Sequence, residues 1–358
     1  MENTNVARIG VIGAGWWSTY AHIPALLSDP RAKLMAIADS SSTRLGEVAA
    51  KYGVHRTYTD YRRMLELETL DGVVIAVPHA LHYEIAKACI ESDLHVMLEK
   101  PMTLHAVDSR ELLDLADKHC RQIIVGFPYH FSERTIHARD IVRSGHLGKI
   151  ELIVCTSSAM NIEFFRGNPE AYRSVFEYPM GGPVCSYADP KLTGGGQGQV
   201  HVSHLAGCML FITELRAKQV SAFMEKCDVP LDLVDAIQIR MDNGAIGVVG
   251  STGNIGVGDT GQFDVRVYCA QGYLLLDQAR GSLYIRTHDG IEQDSGPLPP
   301  EDRYPRFATS RNLVDVICGQ SENGSPGLIG HRTVELIEAA YLSAGRGCVV
   351  DVETLYGA

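Results

Sequence analysis

The first third of the chain alternates short apolar runs with stretches of helical spacing. Strand-like apolar runs occupy residues 8–12, 34–38, 72–77, 95–98 and 122–126, and helical stretches occupy residues 21–27, 43–52, 80–92 and 110–119. Uninterrupted apolar strands that alternate with helices are typical of a parallel sheet covered by helices on both faces. The pattern therefore predicts a doubly wound α/β domain over residues 1–127.

Residues 128–358 follow a different pattern. Strand-like runs fall at residues 150–157, 219–227, 233–242, 245–251, 262–270, 273–277 and 282–287, and helical stretches at residues 306–318 and 332–346. Strands segregated from helices predict an α+β domain built on a large, mostly antiparallel sheet. Asn243 and Gly244 predict a hairpin with a type I′ turn, because both residues tolerate positive φ angles. Residues 161–196 contain four prolines and are predicted to form a long loop of the kind that is usually functional or disordered.

Charge and cysteine content argue against several classes of function. The 358 residues suggest about two domains, and 43 acidic against 32 basic residues give a net charge of −11. This balance disfavours a nucleic-acid surface, which needs clustered Lys and Arg, and docking on anionic membranes. The nine cysteines show no C-x-x-C spacing, no signal peptide is expected, and no apolar run reaches the ~18 residues that span a bilayer. We expect a cytoplasmic protein with reduced thiols and no nucleic-acid or membrane partner.

A glycine-rich turn follows the first predicted strand. It reads Gly13-Ala14-Gly15-Trp16-Trp17-Ser18, a G-x-G-x-x-G fingerprint with Ser18 in place of the last glycine. Gly13 permits the tight turn, and Gly15 lets the backbone approach a pyrophosphate at the helix N-terminus. Asp39, at the end of the second strand, would accept ribose hydroxyls and repel a 2′-phosphate, whereas Arg44 could pair with one. The motif predicts NAD binding, with NADP less favoured; the alternative is a plain glycine turn with a solvent-facing Asp39.

Further motifs carry a family resemblance. They are Val77-Pro78-His79-Ala80-Leu81-His82, Leu98-Glu99-Lys100-Pro101, Gly194-Gly195-Gly196 with His204 after it, and the run AAYLSA at residues 339–344. Together they resemble the glucose–fructose oxidoreductase/inositol dehydrogenase/MocA (Gfo/Idh/MocA) family over essentially the whole chain. The resemblance implies an N-terminal Rossmann domain, a C-terminal substrate domain that also mediates oligomerisation, and NAD(P)-dependent oxidation of CH–OH groups. It also implies a homodimer or homotetramer, and residues 244–261, punctuated by glycines, could pair subunits across an open sheet face.

The same resemblance assigns residue roles. Lys100 would lie beside the nicotinamide and bind the hydroxyl that is oxidised, and His204 would be the general base. Lys100 follows a strand end, where ligands bind in open α/β sheets, and an imidazole titrates near neutrality, so both roles are chemically reasonable. Glu99 could meet the nicotinamide ribose, and Pro78 and His82 would pass along the cofactor, although His82 could equally be structural. Trp16 and Trp17, within the glycine turn, are included among the expected cofactor contacts.

The sequence departs from the family at the substrate side. Val200 occupies the position, four residues before His204, where many relatives have an acidic residue. Gln197 or His201 is predicted to take over part of its polar role, although His201 could be a structural histidine. Tyr129 and His130 stand where many relatives have arginines. Tyr129 and Tyr187 are further expected substrate contacts, and no metal site is expected, because two histidines three residues apart are a poor zinc constellation.

The expected function is NAD-dependent oxidation of a secondary hydroxyl of a sugar, glycoside or inositol to a ketone. One alternative is an enzyme that uses NAD transiently to cleave or epimerise a glycoside, with no net redox change. A second alternative is a non-catalytic NAD-binding regulator. The regularly spaced glycines Gly244, Gly247, Gly250, Gly253 and Gly256 have no chemical assignment.

Overall fold

The N-terminal part of the chain folds around a six-stranded parallel sheet. The computed structural model describes residues 6–182 and 186–357. Its first strands are β1 (Ala7–Ile12), β2 (Ala32–Ala38), β3 (Thr57–Tyr58), β4 (Gly72–Ile75), β5 (His95–Leu98) and β6 (Ile123–Val125). The helices between them are α1 (Ile23–Leu27), α2 (Ser42–Tyr52), α3 (Tyr61–Leu67), α4 (His82–Glu91) and α5 (Ala106–Lys118). The strand order β3-β2-β1-β4-β5-β6 is that of a doubly wound Rossmann sheet, so the predicted fold class is confirmed.

Local sequence explains most of these elements. Strand β4 is buried along its whole length, which is why it reads as a continuous apolar run. Helix α2 begins after Ser41, whose side chain accepts from the Arg44 N–H, and ends at Gly53 in the left-handed conformation. Strand β3 and helix α3 were not predicted, because one has two residues and the other is short and rich in charge.

The C-terminal part of the chain builds a second, larger sheet. Its strands are β7 (Ile150–Ser158), β8 (Ala217–Glu225), β9 (Val234–Met241), β10 (Ile246–Thr252), β11 (Gln262–Cys269), β12 (Gly272–Asp277), β13 (Ser282–Thr287), β14 (Glu292–Ser295) and β15 (Val350–Asp351). The order is β14-β13-β12-β11-β7-β10-β9-β8-β15, and only β7 and β10 pair in parallel. The expectation of a large, mostly antiparallel sheet is confirmed.

Helices cover one face of this sheet. The helices of this part are α6 (Glu133–Arg143), α7 (Ile162–Phe165), α8 (Pro190–Thr193), α9 (Ser203–Thr213), α10 (Pro300–Arg303), α11 (Ala308–Ile317) and α12 (Gly327–Arg346). Helices α9 and α12 pack on the sheet and bury its main apolar core. The opposite face exposes Phe223, which is 83% exposed, and strand residues such as Ile246 and Val248.

Two local expectations are wrong in this part. Residues 161–196 are not a plain loop, because α7, α8 and short 3₁₀ turns lie within the described part of the segment. The hairpin between β9 and β10 exists, but its turn is not type I′. Only Gly244 has a positive φ, of 89°, whereas Asn243 instead uses its side-chain oxygen to accept from the Ala245 N–H at 2.8 Å.

The C-terminal helices also contact the first sheet. Leu313 and Val314 of α11 belong to the core that includes Met97 and Ile124 of the first sheet. The Val125 N–H donates to the Ser325 carbonyl at 2.8 Å, which ties β6 to the segment before α12. Chain beyond residue 127 therefore completes the cover of the first sheet. No helix within residues 6–182 and 186–357 is long and apolar enough to cross a membrane.

Candidate active site

A cleft of about 940 Å³ lies where the carboxyl ends of the first sheet's strands meet the second sheet. Ligands of open α/β sheets bind at this edge, and the volume falls at the upper end of the roughly 300–1,000 Å³ range of small-molecule sites. Of the residues singled out in the sequence, it is lined by Gly13, Gly15, Trp16, Trp17, Asp39, Arg44, Pro78, Glu99, Lys100, Tyr129, Tyr187, His201 and His204.

The glycine turn has one closed side and one open side. Gly13 has a φ of 94°, and a Cβ there would lie 2.2 Å from the Ala76 carbonyl oxygen, so only glycine fits. At Gly15 a Cβ would meet no atom of residues 6–182 and 186–357 within 4 Å, which leaves the backbone accessible from the cleft. Ser18, in place of the third fingerprint glycine, donates to the Gly13 carbonyl at 2.5 Å and so fastens the turn.

Asp39 holds the same turn from the end of β2. Its Oδ2 accepts from the Ala14 N–H at 2.8 Å, and its Oδ1 accepts from the Ser41 N–H at 2.9 Å. After the glycine turn, the helical segment that leads into α1 starts with a π-helical turn, Ser18–His22. This rare geometry occurs frequently at functional sites. Trp16 packs on Phe164, with ring centroids 6.3 Å apart, and thereby joins the turn to the second domain.

The Glu99 carboxylate contacts three nitrogen atoms of the protein. Its Oε1 accepts from Trp17 Nε1 at 3.0 Å and lies 3.1 Å from His22 Nε2, and its Oε2 accepts from the Lys100 N–H at 3.2 Å. Burial raises the pKa of Glu99, but the His22 contact and the Lys100 charge outweigh burial and lower it. A Cβ at Gly126 would lie 2.7 Å from Oε1, so this glycine makes room for the carboxylate. His22 was not identified from the sequence.

Lys100 reaches across the cleft from the end of β5. Its Nζ donates to the Val200 carbonyl at 2.9 Å, so the position without an acidic side chain offers its main-chain oxygen instead. Burial lowers the pKa of Lys100 to about 8, and the Glu99 charge opposes that shift. The hydrogen bond to Val200 holds the ammonium group at the cleft wall that carries the histidines.

His201 and His204 lie together on this wall. Residues 198–202 form a second π-helical turn that leads into α9, and the two rings have centroids 6.4 Å apart. Burial and then the Lys100 charge lower the pKa of both rings, to about 4 for His201 and well below the usual range for His204. Among the described residues, Nε2 of His201 and Nδ1 of His204 have no hydrogen-bond partner. Both imidazoles are thus neutral near pH 7, and Tyr129 lies 6.1 Å from His204, centroid to centroid.

Two expected site residues do not line the cleft. His82 is fully buried, and its ring nitrogens lie 2.7 Å from the Pro101 carbonyl and 3.0 Å from the Val77 carbonyl. Gln197 is also fully buried, and its side-chain amide forms hydrogen bonds with Ser251 and Asn161. Both side chains were placed at the site because of their sequence position, but packing uses them to hold the site's walls.

A structural network behind the histidines was missed in the sequence. Asp232 Oδ1 accepts from the Gly196 N–H at 2.7 Å and Oδ2 accepts from the Gly198 N–H at 2.7 Å. A Cβ at Gly195 would lie 2.1 Å from the Tyr341 hydroxyl, and one at Gly196 would lie 2.1 Å from the Asp232 carbonyl oxygen. The triple glycine is therefore required for close packing. The run AAYLSA, which contains Tyr341, was the only sequence signal for it.

The comparisons with known proteins agree with this architecture. Residues 7–127 match the Gfo/Idh/MocA model, described as an oxidoreductase family with an NAD-binding Rossmann fold. Residues 7–127 are therefore similar to this family, and the match covers about a third of the chain. Across the part of the chain that the structure describes, no group of three or more His, Cys, Asp or Glu side chains could hold a metal ion.

Two named relatives match less than half of the chain. The chain is 31% identical to myo-inositol 2-dehydrogenase of Thermotoga maritima over 42% of its length and 45% of the relative's. It is also 31% identical to D-glucoside 3-dehydrogenase of Escherichia coli, over 43% of each chain. The chain thus spans less than half the length of these two relatives. An oxidoreductase domain protein from Kribbella flavida shares the fold of this chain, with a TM-score of 0.80 and 20% identity over 97% of this chain and 99% of that one.

Proposed function

We propose that the protein is an NAD-dependent dehydrogenase that oxidises a secondary hydroxyl of a sugar, glycoside or inositol to a ketone. The observation that carries the proposal is the meeting of Lys100 and His204 in one cleft with the open glycine turn. The names of the inositol and glucoside dehydrogenases among the relatives support this substrate class. The division of labour follows the proposed domains, with residues 1–127 for the cofactor and residues 128–358 for the substrate and for oligomerisation.

The glycine turn fits a dinucleotide. The open space at Gly15 admits a pyrophosphate to the N-terminus of the following helix, where backbone N–H groups and the helix dipole favour an anion. The Asp39 carboxylate lines the cleft beside this turn, where it would accept ribose hydroxyls and repel a 2′-phosphate, which favours NAD. Arg44 is the group through which NADP would be accepted if that preference fails. Trp16, Trp17, Pro78, Glu99 and Lys100 complete the proposed cofactor contacts.

Lys100 and His204 have different tasks in the proposed reaction. Bound NAD⁺ supplies a hydride acceptor at C4 of its nicotinamide. His204, neutral because burial lowers its pKa, accepts the proton of the substrate hydroxyl. Lys100, with its pKa lowered by burial to about 8, is mostly protonated at pH 7 and stabilises the oxygen as it loses that proton. A hydride and a proton leave the alcohol, so the products are a ketone, NADH and one proton.

The walls of the cleft suit a ring with one apolar face and several hydroxyls. Tyr129 and Tyr187 present aromatic surface, and His201 offers a neutral ring nitrogen in the place of the family's acidic side chain. We assign these three residues to substrate binding. A homodimer or homotetramer, joined through the exposed face of the second sheet around Phe223, and a cytoplasmic location belong to the same proposal.

A substrate panel tests the proposal. Purified protein is incubated with NAD⁺ and a set of sugars, glycosides and inositols, and NADH absorbance is followed, with NADP⁺ as the matched cofactor control. The expected result is NADH formation with at least one polyol and recovery of the keto product. Consumption of a glycoside without NADH would indicate transient oxidation with cleavage or epimerisation. Tight NADH binding with no turnover on any substrate would indicate a regulator.

A further inference from the structure

His79 is a cleft residue to which the proposed reaction gives no task. It follows strand β4 and begins the 3₁₀ turn His79–Leu81 at the carboxyl edge of the first sheet. It is 7% exposed and lines the cleft. Its ring meets that of Tyr187 edge to face, with centroids 6.3 Å apart. His79 thus belongs to the first domain but contacts a residue that we assign to substrate binding.

A hydrogen bond to the second domain fixes the protonation of the ring. Nδ1 of His79 lies 3.0 Å from the carbonyl oxygen of Thr193, the last residue of α8. A carbonyl oxygen only accepts, so Nδ1 carries a proton. Burial and then the Lys100 charge lower the pKa of His79 well below its usual range, so the ring is neutral near pH 7. A neutral imidazole has one N–H group, so Nε2 is left with a lone pair.

This lone pair has no partner within the protein. The bond to Thr193 is the only hydrogen bond of the His79 ring among residues 6–182 and 186–357. Nε2 of His79 is nevertheless accessible, in contrast to Nε2 of His201, which is buried without a partner. Because the ring lines the cleft, its accessible nitrogen opens on the cleft. Nε2 is therefore an acceptor that a bound molecule can reach.

The chemistry around Nε2 favours a hydroxyl donor. Lys100 lines the same cleft, and its ammonium group carries three N–H donors, of which the Val200 carbonyl takes one. A hydroxyl group both accepts and donates, so different hydroxyls of a polyol can accept from Lys100 and donate to His79. A carboxylate oxygen without a proton cannot donate to Nε2. The wall that His79 and Lys100 share is thus suited to hydroxyl groups.

We propose that His79 is a specificity-determining residue whose Nε2 accepts a hydrogen bond from a substrate hydroxyl other than the one that is oxidised. Its contacts with Thr193 and Tyr187, both in the second domain, favour the substrate over the cofactor as the source of this hydroxyl. The assignment to a substrate rests on the proposed function, whereas the proton on Nδ1 and the free Nε2 do not. The experiments below keep these two parts separate.

Nitrogen NMR reads the protonation of the ring directly. In protein with ¹⁵N-labelled histidine, long-range ¹H–¹⁵N correlation distinguishes a protonated ring nitrogen from one with a lone pair. The signals that disappear in His79→Asn belong to His79. At pH 7 we expect a protonated Nδ1 and an unprotonated Nε2. The opposite tautomer, or a ring protonated at both nitrogens, would overturn the proposal without any use of cofactor or substrate.

Two substitutions separate the two ring nitrogens. Asn places an amide N–H near the position of Nδ1 and can still donate to Thr193, but it has no acceptor at the position of Nε2. Gln reaches that position with an amide oxygen but leaves the Thr193 carbonyl unpaired. His79→Asn should therefore raise KM about tenfold with kcat and Tm close to the wild type, whereas His79→Gln should lower the Tm and raise KM at most about twofold. A wild-type KM in His79→Asn would overturn the proposal, and His288→Asn, at an exposed position, is the matched control.

Deoxy analogues of the best substrate identify the hydroxyl. The wild type should lose about tenfold in kcat/KM when the hydroxyl that meets His79 is removed, whereas His79→Asn should lose almost nothing, because its acceptor is already absent. Equal losses in both proteins for every analogue would overturn the proposal. The Kd for NADH should be the same in both proteins, and a Kd that rises together with KM would assign the contact to a cofactor hydroxyl and also overturn it. Absence of NADH formation with every polyol contradicts the proposed function, whereas turnover at a wild-type KM in His79→Asn contradicts this proposal alone.

Discussion

Two glycine turns start the helices on the two sides of the cleft, and they share one design. Each is followed by a π-helical turn, Ser18–His22 in the first domain and Gly198–Val202 in the second. In each, a carboxylate accepts a backbone N–H of the turn. Asp39 accepts from Ala14 at 2.8 Å, and Asp232 accepts from Gly196 at 2.7 Å.

The two turns differ in what fills the space beside the glycines. At Gly15 the space is open, whereas at Gly196 a Cβ would lie 2.1 Å from the Asp232 carbonyl oxygen. The first turn thus keeps its backbone free for a ligand, and the second uses the missing side chains to let protein atoms approach. Gly15 leaves room for binding on one side of the cleft, whereas Gly196 permits close packing on the other. The consequences of substitution should differ accordingly.

The largest effect should come from the group that joins the two sides. Lys100→Met keeps the side-chain stem but removes the charge near the reacting oxygen, so kcat should fall about 10³-fold, within the range of positioned proton-transfer groups. The Kd for NADH, measured by fluorescence titration, should change far less. Lys118→Met, at the exposed end of α5, is the matched control. A wild-type kcat in Lys100→Met would remove this residue from the mechanism.

Substitution in the closed turn should cost stability. Gly196→Ala forces a methyl group against the Asp232 carbonyl and should destabilise the fold by about 1–3 kcal/mol, the usual cost of overpacking. Thermal unfolding measures the change as a lower Tm. Gly250→Ala is the control, since a Cβ at Gly250 meets no atom within 4 Å. If Gly196→Ala and Gly250→Ala unfold at the same temperature, the Asp232 carbonyl does not restrict the side chain at position 196.

The same substitution in the open turn should affect the ligand instead. Gly15→Ala should weaken NADH binding about tenfold, or ~1.4 kcal/mol, because its methyl group enters the space left for the pyrophosphate. The free energy of unfolding without ligand should stay within about 0.5 kcal/mol of the wild type. Gly46→Ala on α2, also open, should leave the Kd unchanged. Tight binding by Gly15→Ala would mean that the cofactor does not use this turn.

The smallest effect should be the pH dependence of kcat/KM, with an acid limb from His204 and an alkaline limb from Lys100. Burial lowers the pKa of His204 well below the usual range, so protonation of this base should reduce kcat/KM only at a pH more acidic than the one at which an ordinary histidine titrates. Burial lowers the pKa of Lys100 to about 8, so kcat/KM should decline as pH rises through 8. In Lys100→Arg the alkaline limb that belongs to Lys100 should disappear. An alkaline limb that is unchanged in this variant would assign it to another group.

The two sheets could be predicted well from the sequence, because buried strands form continuous or alternating apolar runs along the chain. Continuous apolar runs such as β4 mark the parallel sheet, and the glycine turn with Asp39 marks its binding edge. Helix α3 is hard to predict because Met64 is its one buried residue, and helices α7 and α8 are hard to predict because each has only four residues.

The details of the site were less predictable, because they depend on partners that are distant in the chain. Lys100 finds the carbonyl of Val200, a contact that no side-chain pattern encodes. Gln197 was expected at the substrate, but Ser251 and Asn161 occupy its amide. The role of Asp232 was invisible for the same reason, since it bonds to backbone N–H groups.

The most direct test of the account is to follow the hydrogen that is transferred. A polyol substrate is deuterated at the carbinol carbon and oxidised with NAD⁺, and the reduced cofactor is examined by NMR. The account predicts that the deuterium appears at C4 of the nicotinamide and that the wild type shows a primary isotope effect when transfer limits the rate. Deuterium released to water, with none at C4, would contradict direct hydride transfer between the two sides of the cleft.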